Sequence, residues 1–244
     1  MSRSKKIIIL TTIVLLTIYL VIAVVYASKR HHSERCLGIE VILHKTSSSL
    51  LMHSDIHSFI EKRHINPTGK LCDSIDISNI EKELCTMPLV LNAECCILRN
   101  GIMRIDIFQR TPLFHIHTSI SDYCIDDRGM QMTTPQHLPD TIIHVTGDVT
   151  ISFATENLYP LICFMYSDGE LSDEFRRISV GRGNQINLYS NRYPYCLIMA
   201  GDNRYEPGFE KFKKFREWDK RGEHQTKYKT INLQFRGQIV CKRK

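Results

Sequence analysis

The stretch Val90–Gln109, VLNAECCILRNGIMRIDIFQ, predicts a β-hairpin. Apolar residues alternate on both sides of Asn100-Gly101, and Asn-Gly between two such runs is the strongest short-range hairpin signal, because both central turn residues need positive φ. We therefore expect strands at Val90–Leu98 and Ile102–Gln109. The rest of the first domain can be assigned outward from this hairpin.

Two short helices are predicted before the hairpin. Ser54 is placed as the N-cap of a helix over Asp55–Arg63, because a serine before an apolar-periodic run satisfies an orphan amide. Ser78 and Glu81 have the spacing of a capping box, which would open a second helix that ends before Pro88. The apolar stripe of the first helix consists of Ile56, Phe59 and Ile60.

Leu37–Leu43 (LGIEVIL) predicts a strand before the two helices. The resulting order is strand, helix, helix, strand, strand, and it fills residues 37–111. We therefore expect a first domain of α+β class over this range.

An unbroken apolar run of 20 residues, Ile7–Tyr26, lies near the N-terminus. Its length matches the roughly 20 residues that a helix needs to cross a hydrocarbon core of about 30 Å. We predict a single transmembrane helix over residues 7–27. A cleaved signal peptide is the alternative, although its apolar stretch is usually only 7 to 15 residues long.

The flanking charges leave the orientation of this helix nearly balanced. Three Lys and Arg side chains precede the run and three follow it closely. Long C-terminal domains translocate largely regardless of flanking charge. We expect residues 1–6 to be a cytoplasmic tail and residues 28–244 to lie outside the cytoplasm.

The second half of the chain predicts a mostly antiparallel, β-rich domain over residues 112–244 with flanking helices. Short apolar segments separated by turn signals at this spacing are typical of antiparallel sheets. Helices are expected at Glu156–Tyr166 and Pro207–Arg221. Strands are expected at Leu113–Thr118, Tyr123–Asp126, Ile142–Thr146, Arg176–Val180, Gln185–Tyr189, Tyr195–Met199, Tyr228–Phe235 and Gln238–Cys241.

Positive charge is concentrated in residues 204–244. This segment holds 13 Lys and Arg against 5 Asp and Glu, a balance of +8, whereas the whole chain carries +6. A basic tail can bind nucleic acid or acidic lipid. Phe209, Phe212, Phe215 and Trp218 interleave these charges at helical spacing, which favours a solvated helix face instead, and we expect no nucleic-acid partner.

The nine cysteines form no Cys-x-x-Cys pair with metal or redox spacing. Cys95 and Cys96 are adjacent, so on a strand they face opposite sides. We interpret most of the cysteines as small buried hydrophobes. One or two disulfides remain an alternative in an oxidising compartment.

The sequence marks no catalytic or cofactor site. It lacks Gly-x-Ser-x-Gly, P-loop and His-Glu-x-x-His motifs. His115 and His117 share one face of a strand and could supply two metal ligands, but no third ligand is marked nearby, so a surface pair is the preferred interpretation. The pair Asp126-Asp127 precedes Gly129 and is interpreted as turn chemistry.

The order of these elements resembles the bacterial cell-division family FtsQ/DivIB. That family has one N-terminal anchor, a POTRA domain and a C-terminal β domain. Gln109-Arg110-Thr111-Pro112 resembles the family's junction motif, and the ending Gly237–Lys244 is similar to that of Bacteroidetes members. The other matching stretches are Ile75–Ile77, Ile80–Leu84, Pro88–Glu94, Gly101–Ile107, Tyr123–Gly129 and Tyr228–Val240.

The resemblance implies a non-enzymatic divisome scaffold without a cofactor. It would bind FtsB/FtsL-like small bitopic partners at the division septum and help to control septal wall synthesis. A terminal strand at a sheet edge could take up an extended partner segment by strand addition. The expected partner-binding residues are Tyr228, Ile231, Leu233, Gln234, Phe235, Arg236, Gln238 and Val240.

Two other classes of protein stay open at this point. A POTRA-type polypeptide-binding or secretion component would need tandem POTRA modules or a barrel-length series of strands. A membrane-anchored hydrolase would use His with Cys or Asp.

Overall fold

A computed structural model describes residues 12–25, 35–44, 50–202, 204–219 and 227–244. Residues 12–25 form a helix, α1, within the predicted span of residues 7–27. The rest of that span and the tail of residues 1–6 lie outside the described residues. In the described parts of the chain, no helix combines the length and the apolar character needed to cross a membrane.

The chain divides into two compact units, Met1–Lys45 with Leu51–Gln109, and Thr46–Leu50 with Arg110–Lys244. The first unit has a three-stranded sheet in the order β1-β3-β2, with β1 parallel and β2 antiparallel to β3. Its elements follow the predicted order of strand, helix, helix, strand, strand. They are β1 Gly38–His44, α2 His53–Lys62, a 3₁₀ turn Cys72–Ser74, α3 Ile77–Leu84, β2 Val90–Ile97 and β3 Ile102–Gln109.

The core of the first unit lies between its two helices and the central strand. Ile56 and Ile60 of α2 and Leu84 of α3 are fully buried, and Phe59 packs at the rim of the same cluster. The strand β3 contributes Met103, Ile105 and Ile107 from the opposite side. The apolar stripe predicted for α2 is therefore confirmed.

Both predicted helix caps are wrong in detail. The helix α2 begins after Met52, whose amide donates to Asp55 Oδ2 over 2.8 Å, so Ser54 lies inside the helix. The helix α3 begins after Asp76, whose Oδ1 accepts from Asn79 N over 2.9 Å. In both cases a carboxylate one or two residues from the predicted serine supplies the stronger acceptor.

The side chain of Glu81, predicted to close a capping box, has a different partner. Its Oε1 accepts a 2.8 Å hydrogen bond from Cys95 N on β2. A long-range bond between α3 and the sheet has therefore replaced the local bond that the sequence pattern suggested.

The β2–β3 hairpin is confirmed, but its turn differs from the predicted one. Only Gly101 has positive φ, at 77°, and its amide donates to Leu98 O over 2.9 Å. Asn100 keeps negative φ and accepts from Ile102 N through Oδ1 over 3.1 Å. This is a type I turn followed by a left-handed glycine, the common longer alternative to the two-residue turn.

The second unit is built on a nine-stranded mixed sheet in the order β12-β11-β10-β9-β8-β7-β4-β5-β6. Five of its pairs are antiparallel; β10 and β11, β7 and β8, and β4 and β7 are parallel. The strands are β4 Pro112–His117, β5 Asp122–Asp126, β6 Gln131–Met132, β7 Ile143–Gly147, β8 Arg177–Val180, β9 Ile186–Tyr189, β10 Cys196–Met199, β11 Tyr228–Asn232 and β12 Val240–Arg243.

Helices cover one face of this sheet. They comprise α4 Ile151–Phe153, a π turn Ala154–Leu158, α5 Tyr159–Asp168, α6 Glu170–Glu174 and α7 Tyr205–Trp218. The helices α5 and α7 touch through Phe164 and Phe209, whose ring centroids lie 5.6 Å apart. Alternate strand residues such as Phe114, Ile116 and Val145 are buried beneath them. Their neighbours His115, His117 and His144 lie on the other face.

The helical segment starts earlier than the predicted Glu156. Thr150 caps it by accepting a 3.2 Å hydrogen bond from Phe153 N. The π turn ends at Leu158, two residues before Pro160, which has no amide hydrogen to donate. A wider turn is a way to accommodate proline inside a continuous helical run.

Candidate partner-binding site

The terminal hairpin of the second unit presents a free sheet edge. The strand β11 is paired on both sides, in parallel with β10 and antiparallel with β12. Among the described strands, β12 pairs only with β11 and therefore forms the outer edge. The strand β11 ends at Asn232, before the predicted Phe235, because the chain turns over residues 233–239. The strand β12 has the predicted length but is shifted by two residues, to Val240–Arg243 instead of Gln238–Cys241.

The backbone alternation of β12 shows which amides face outward. Lys244 N donates to Lys227 O, and on the other side of β11, Leu233 N donates to Ile198 O. Since N–H direction alternates along an antiparallel strand, the amides of Val240 and Lys242 face β11. The amides of Cys241 and Arg243 then point away from the sheet, where an added strand would pair.

The connection between β11 and β12 is held in place by α7. Lys211 Nζ of α7 donates to the carbonyl oxygens of Leu233 and Phe235, the latter over 2.7 Å. Burial lowers the pKa of Lys211. Gln234 N donates to Asn232 Oδ1 over 2.9 Å. These bonds fix the backbone on both sides of Phe235.

The eight predicted partner-binding residues fall into two groups. Ile231 and Leu233 are buried in the core, and half-buried Tyr228 packs against Phe215 with ring centroids 6.1 Å apart. These three support the hairpin from inside. Phe235 is 45% exposed and Val240 46% exposed. The others on the surface are Gln234, Arg236 and Gln238.

The surface around the hairpin is basic. Lys227, Lys229 and Arg236 are exposed, as are the last three residues, 242–244. Lysine on an edge strand also discourages uncontrolled pairing with other edges. The charge therefore favours an acidic partner segment over a neutral one.

A groove of about 420 Å³ borders the same connection. One wall is the first half of α7, with Pro207, Gly208 and Lys211, and the other is the start of the connection, with Gln234 and Arg236. Gly208 brings α7 close to the sheet, since a Cβ at this position would lie 2.8 Å from Met199 Cε.

The aromatic face of α7 is not a second candidate surface. Phe209, Phe212 and Phe215 are buried, whereas Trp218 is 65% exposed. The three phenylalanines that interleave the basic residues therefore belong to the core and cannot bind a partner.

Two motifs that carried the family resemblance meet in one ion pair. Arg110 donates to Asp126 Oδ2 through Nε over 2.9 Å and through Nη2 over 2.7 Å. Asp126 Oδ1 accepts from the amides of Arg128 and Met130 over 3.1 and 2.7 Å. Asp126 is only 1% exposed. The interpretation of Asp126-Asp127 as turn residues is therefore confirmed. The ion pair between Arg110 and Asp126 has a structural role.

The structure places a third potential metal ligand, Asp122, beside His115 and His117, which the sequence analysis did not identify. Asp122 Oδ1 lies 2.9 Å from His115 Nε2, and Asp122 Oδ2 lies 3.1 Å from His117 Nδ1. We refer to His115, His117 and Asp122 as the His–Asp cluster. Asp122 could have been found from the register of the β4–β5 hairpin, which pairs it directly with His117.

The thiols of Cys95, Cys124 and Cys196 do not resemble activated nucleophiles. All nine cysteines are free. Burial, reinforced by nearby Glu81, raises the pKa of Cys95 to about 12. Burial raises the pKa of Cys124 and of Cys196 to about 11. Reactive cysteines have lowered pKa values instead. Only Cys36 and Cys124 are buried, five cysteines are half-buried, and Cys85 and Cys96 are exposed, so the prediction that most of the cysteines are small buried hydrophobes is wrong.

Two family models match the chain. The model described as FtsQ/DivIB, C-terminal related, matches residues 111–242, which is more than half of the chain. The POTRA-like domain model matches residues 34–108. A comparison with curated proteins finds no match.

Proposed function

The chain belongs to the FtsQ/DivIB family, and from that premise we propose that it is a non-enzymatic scaffold of bacterial cell division. Under this proposal it binds FtsB/FtsL-like small bitopic proteins and other divisome proteins. It thereby helps to control septal wall synthesis. The observation that carries the proposal is the free edge of β12, next to an exposed aromatic residue that α7 holds in place.

Strand addition is the binding mode that this edge supports best. Main-chain hydrogen bonds to an extended segment would supply affinity, and alternate side chains would supply specificity. Phe235 has the properties of an anchor, because aromatic residues dominate interface energetics and its backbone is already fixed. The exposed Gln234, Arg236, Gln238 and Val240 would surround it.

We further propose that residues 7–27 anchor the protein in the inner membrane. The support is the apolar run Ile7–Tyr26, together with the family. Residues 1–6 would then be cytoplasmic and residues 28–244 periplasmic, at the division site.

Replacing Phe235 with alanine is expected to weaken partner binding by about 2 kcal/mol, roughly 30-fold, because it removes an exposed aromatic anchor. The measurement is a binding isotherm of the purified full chain with its own FtsB-like partner. Ile120→Ala is the matched control, since Ile120 is a highly exposed hydrophobe on the distant β4–β5 hairpin and should leave binding unchanged. Equal affinity of Phe235→Ala and the parent would place the partner elsewhere.

The variant Cys241→Pro tests the outer edge of β12 in the same binding measurement. The amide of Cys241 points away from β11, and proline is tolerated on an edge strand whose N–H faces solvent. The variant should fold but bind at least about tenfold more weakly, because it lacks an outward donor. Cys241→Ala removes the same thiol and keeps the amide, so it separates the backbone effect from the side-chain effect.

A further inference from the structure

The His–Asp cluster brings three metal-ligating groups together on the open face of the second unit's sheet. His115 and His117 are two residues apart on β4, so their side chains project from the same face. Asp122 on β5 is paired directly with His117 and lies diagonal to His115. The strand register therefore brings together three side chains that are up to seven positions apart in the sequence.

The distances within the cluster suit one shared ion. One ring nitrogen of His115, one of His117 and one carboxylate oxygen of Asp122 all lie within 4.8 Å of one another. Tetrahedral zinc binds imidazole nitrogen and carboxylate oxygen at about 2.0 to 2.2 Å, which places neighbouring ligand atoms roughly 3 to 3.6 Å apart. The two imidazoles already reach the carboxylate over 2.9 and 3.1 Å. An ion could replace the two bridging protons with small movements of the side chains.

Two neighbouring side chains already orient these groups. The Thr134 hydroxyl donates to Asp122 Oδ1. His144 on β7, which is paired with His115, places its Nδ1 3.2 Å from His115 Nδ1. Metal-bound histidines commonly donate their second N–H to such a partner, which fixes the tautomer that leaves the other nitrogen free for the ion. Here His144 can accept from His115 Nδ1 while His115 Nε2 faces Asp122.

We propose that His115, His117 and Asp122 bind a divalent transition-metal ion of the zinc class. Two imidazoles and one carboxylate favour Zn²⁺, Co²⁺, Ni²⁺ or Cu²⁺ over Ca²⁺ or Mg²⁺, which prefer all-oxygen sites. Three protein ligands leave a fourth position for water or for a donor from another molecule. His117 and Asp122 are partly exposed, so the ion can enter from solvent.

This site is separate from the proposed partner-binding edge. The cluster lies on β4 and β5, whereas β12 is at the opposite end of the sheet order. Loss of metal binding and loss of partner binding can therefore be measured independently of each other.

The test uses the full chain, purified without a histidine tag and stripped with a chelator, and titrated with Co²⁺ and then Zn²⁺. We expect one Co²⁺ with a visible spectrum of nitrogen and oxygen ligation, displaced by Zn²⁺. His117→Gln and Asp122→Asn should each weaken Zn²⁺ binding at least tenfold. His137→Gln removes another exposed histidine of the same unit and should not change it.

A second readout needs no variant. Zn²⁺ should protect His117 from histidine-specific acylation, measured by mass spectrometry, while His137 stays reactive. Protection of His117 with one nitrogen-ligated ion supports the site. Co²⁺ bound only through thiolate, Zn²⁺ affinity unchanged in both cluster variants, or His117 acylated equally with and without Zn²⁺ would overturn it.

Discussion

Replacing Asp126 with alanine is expected to lower the free energy of unfolding of the second unit by about 3 to 5 kcal/mol, because it leaves a mostly buried guanidinium without its counter-ion. The side chain of Arg110 is 17% exposed, and Asp126 supplies both of its short contacts to a carboxylate. The variant also removes the acceptor for the amides of Arg128 and Met130. Urea unfolding followed by the fluorescence of Trp218, the single tryptophan of the chain and part of this unit, measures the change.

Two companion variants separate charge from turn geometry. Asp126→Asn keeps an oxygen for the turn amides and removes the charge, so it should fall between the parent and Asp126→Ala. Arg128→Ala truncates an exposed neighbour of the same turn and should change stability by less than about 0.5 kcal/mol. A loss below about 1 kcal/mol in Asp126→Ala would mean that this ion pair does not hold the β4–β5 region together.

Replacing Gly147 with alanine is expected to lower the free energy of unfolding by roughly 2 to 4 kcal/mol, measured by the same urea unfolding. Gly147 ends β7 at φ 100°, and a Cβ there would lie 2.1 Å from Val180 O on β8. The unfavourable backbone conformation alone costs more than about 1 kcal/mol, and overpacking commonly adds 1 to 3 kcal/mol. The parallel pair of β7 and β8 would have to separate at Gly147↔Val180.

Gly183→Ala is the matched control for this prediction. Gly183 also has positive φ, at 69°, but a Cβ there meets nothing within 4 Å. Its backbone lies in the left-handed α region, so the substitution should lower the free energy of unfolding by the conformational cost alone, roughly 1 kcal/mol. If the two variants lose the same free energy of unfolding, the close contact between β7 and β8 does not contribute to the cost of Gly147→Ala.

The fold was predictable where signals are local. The Asn100-Gly101 dipeptide located the first hairpin, and the apolar stripe of α2 located its buried face, because each depends on residues a few positions apart. The caps failed for the opposite reason. Ser54 and Ser78 fit the pattern, yet both helices start two residues earlier, where Asp55 accepts from Met52 N and Asp76 accepts from Asn79 N. Glu81 accepts from Cys95 N on a strand that is distant in sequence.

The candidate sites depended on strand register, which the sequence left open. Asp122 and His144 join His115 only after β5 and β7 have paired on either side of β4. Likewise, Ile231 and Leu233 could be told from the exposed Phe235 only once the hairpin had a core side. An alternating pattern predicts which residues share a face of a strand, but it does not predict which strands pair with it.

The bond from Lys211 to the β11–β12 connection couples binding to local opening. An edge hairpin is among the segments that open locally with less free energy than global unfolding. A partner that adds a strand to the closed form shifts this equilibrium, so amide exchange in β11 and β12 should slow as the partner is added. Conversely, a change in α7 that breaks the bonds to the carbonyls of Leu233 and Phe235 would lower the population of the closed, binding-competent form of the hairpin. It would weaken the partner's apparent affinity without touching the contact surface.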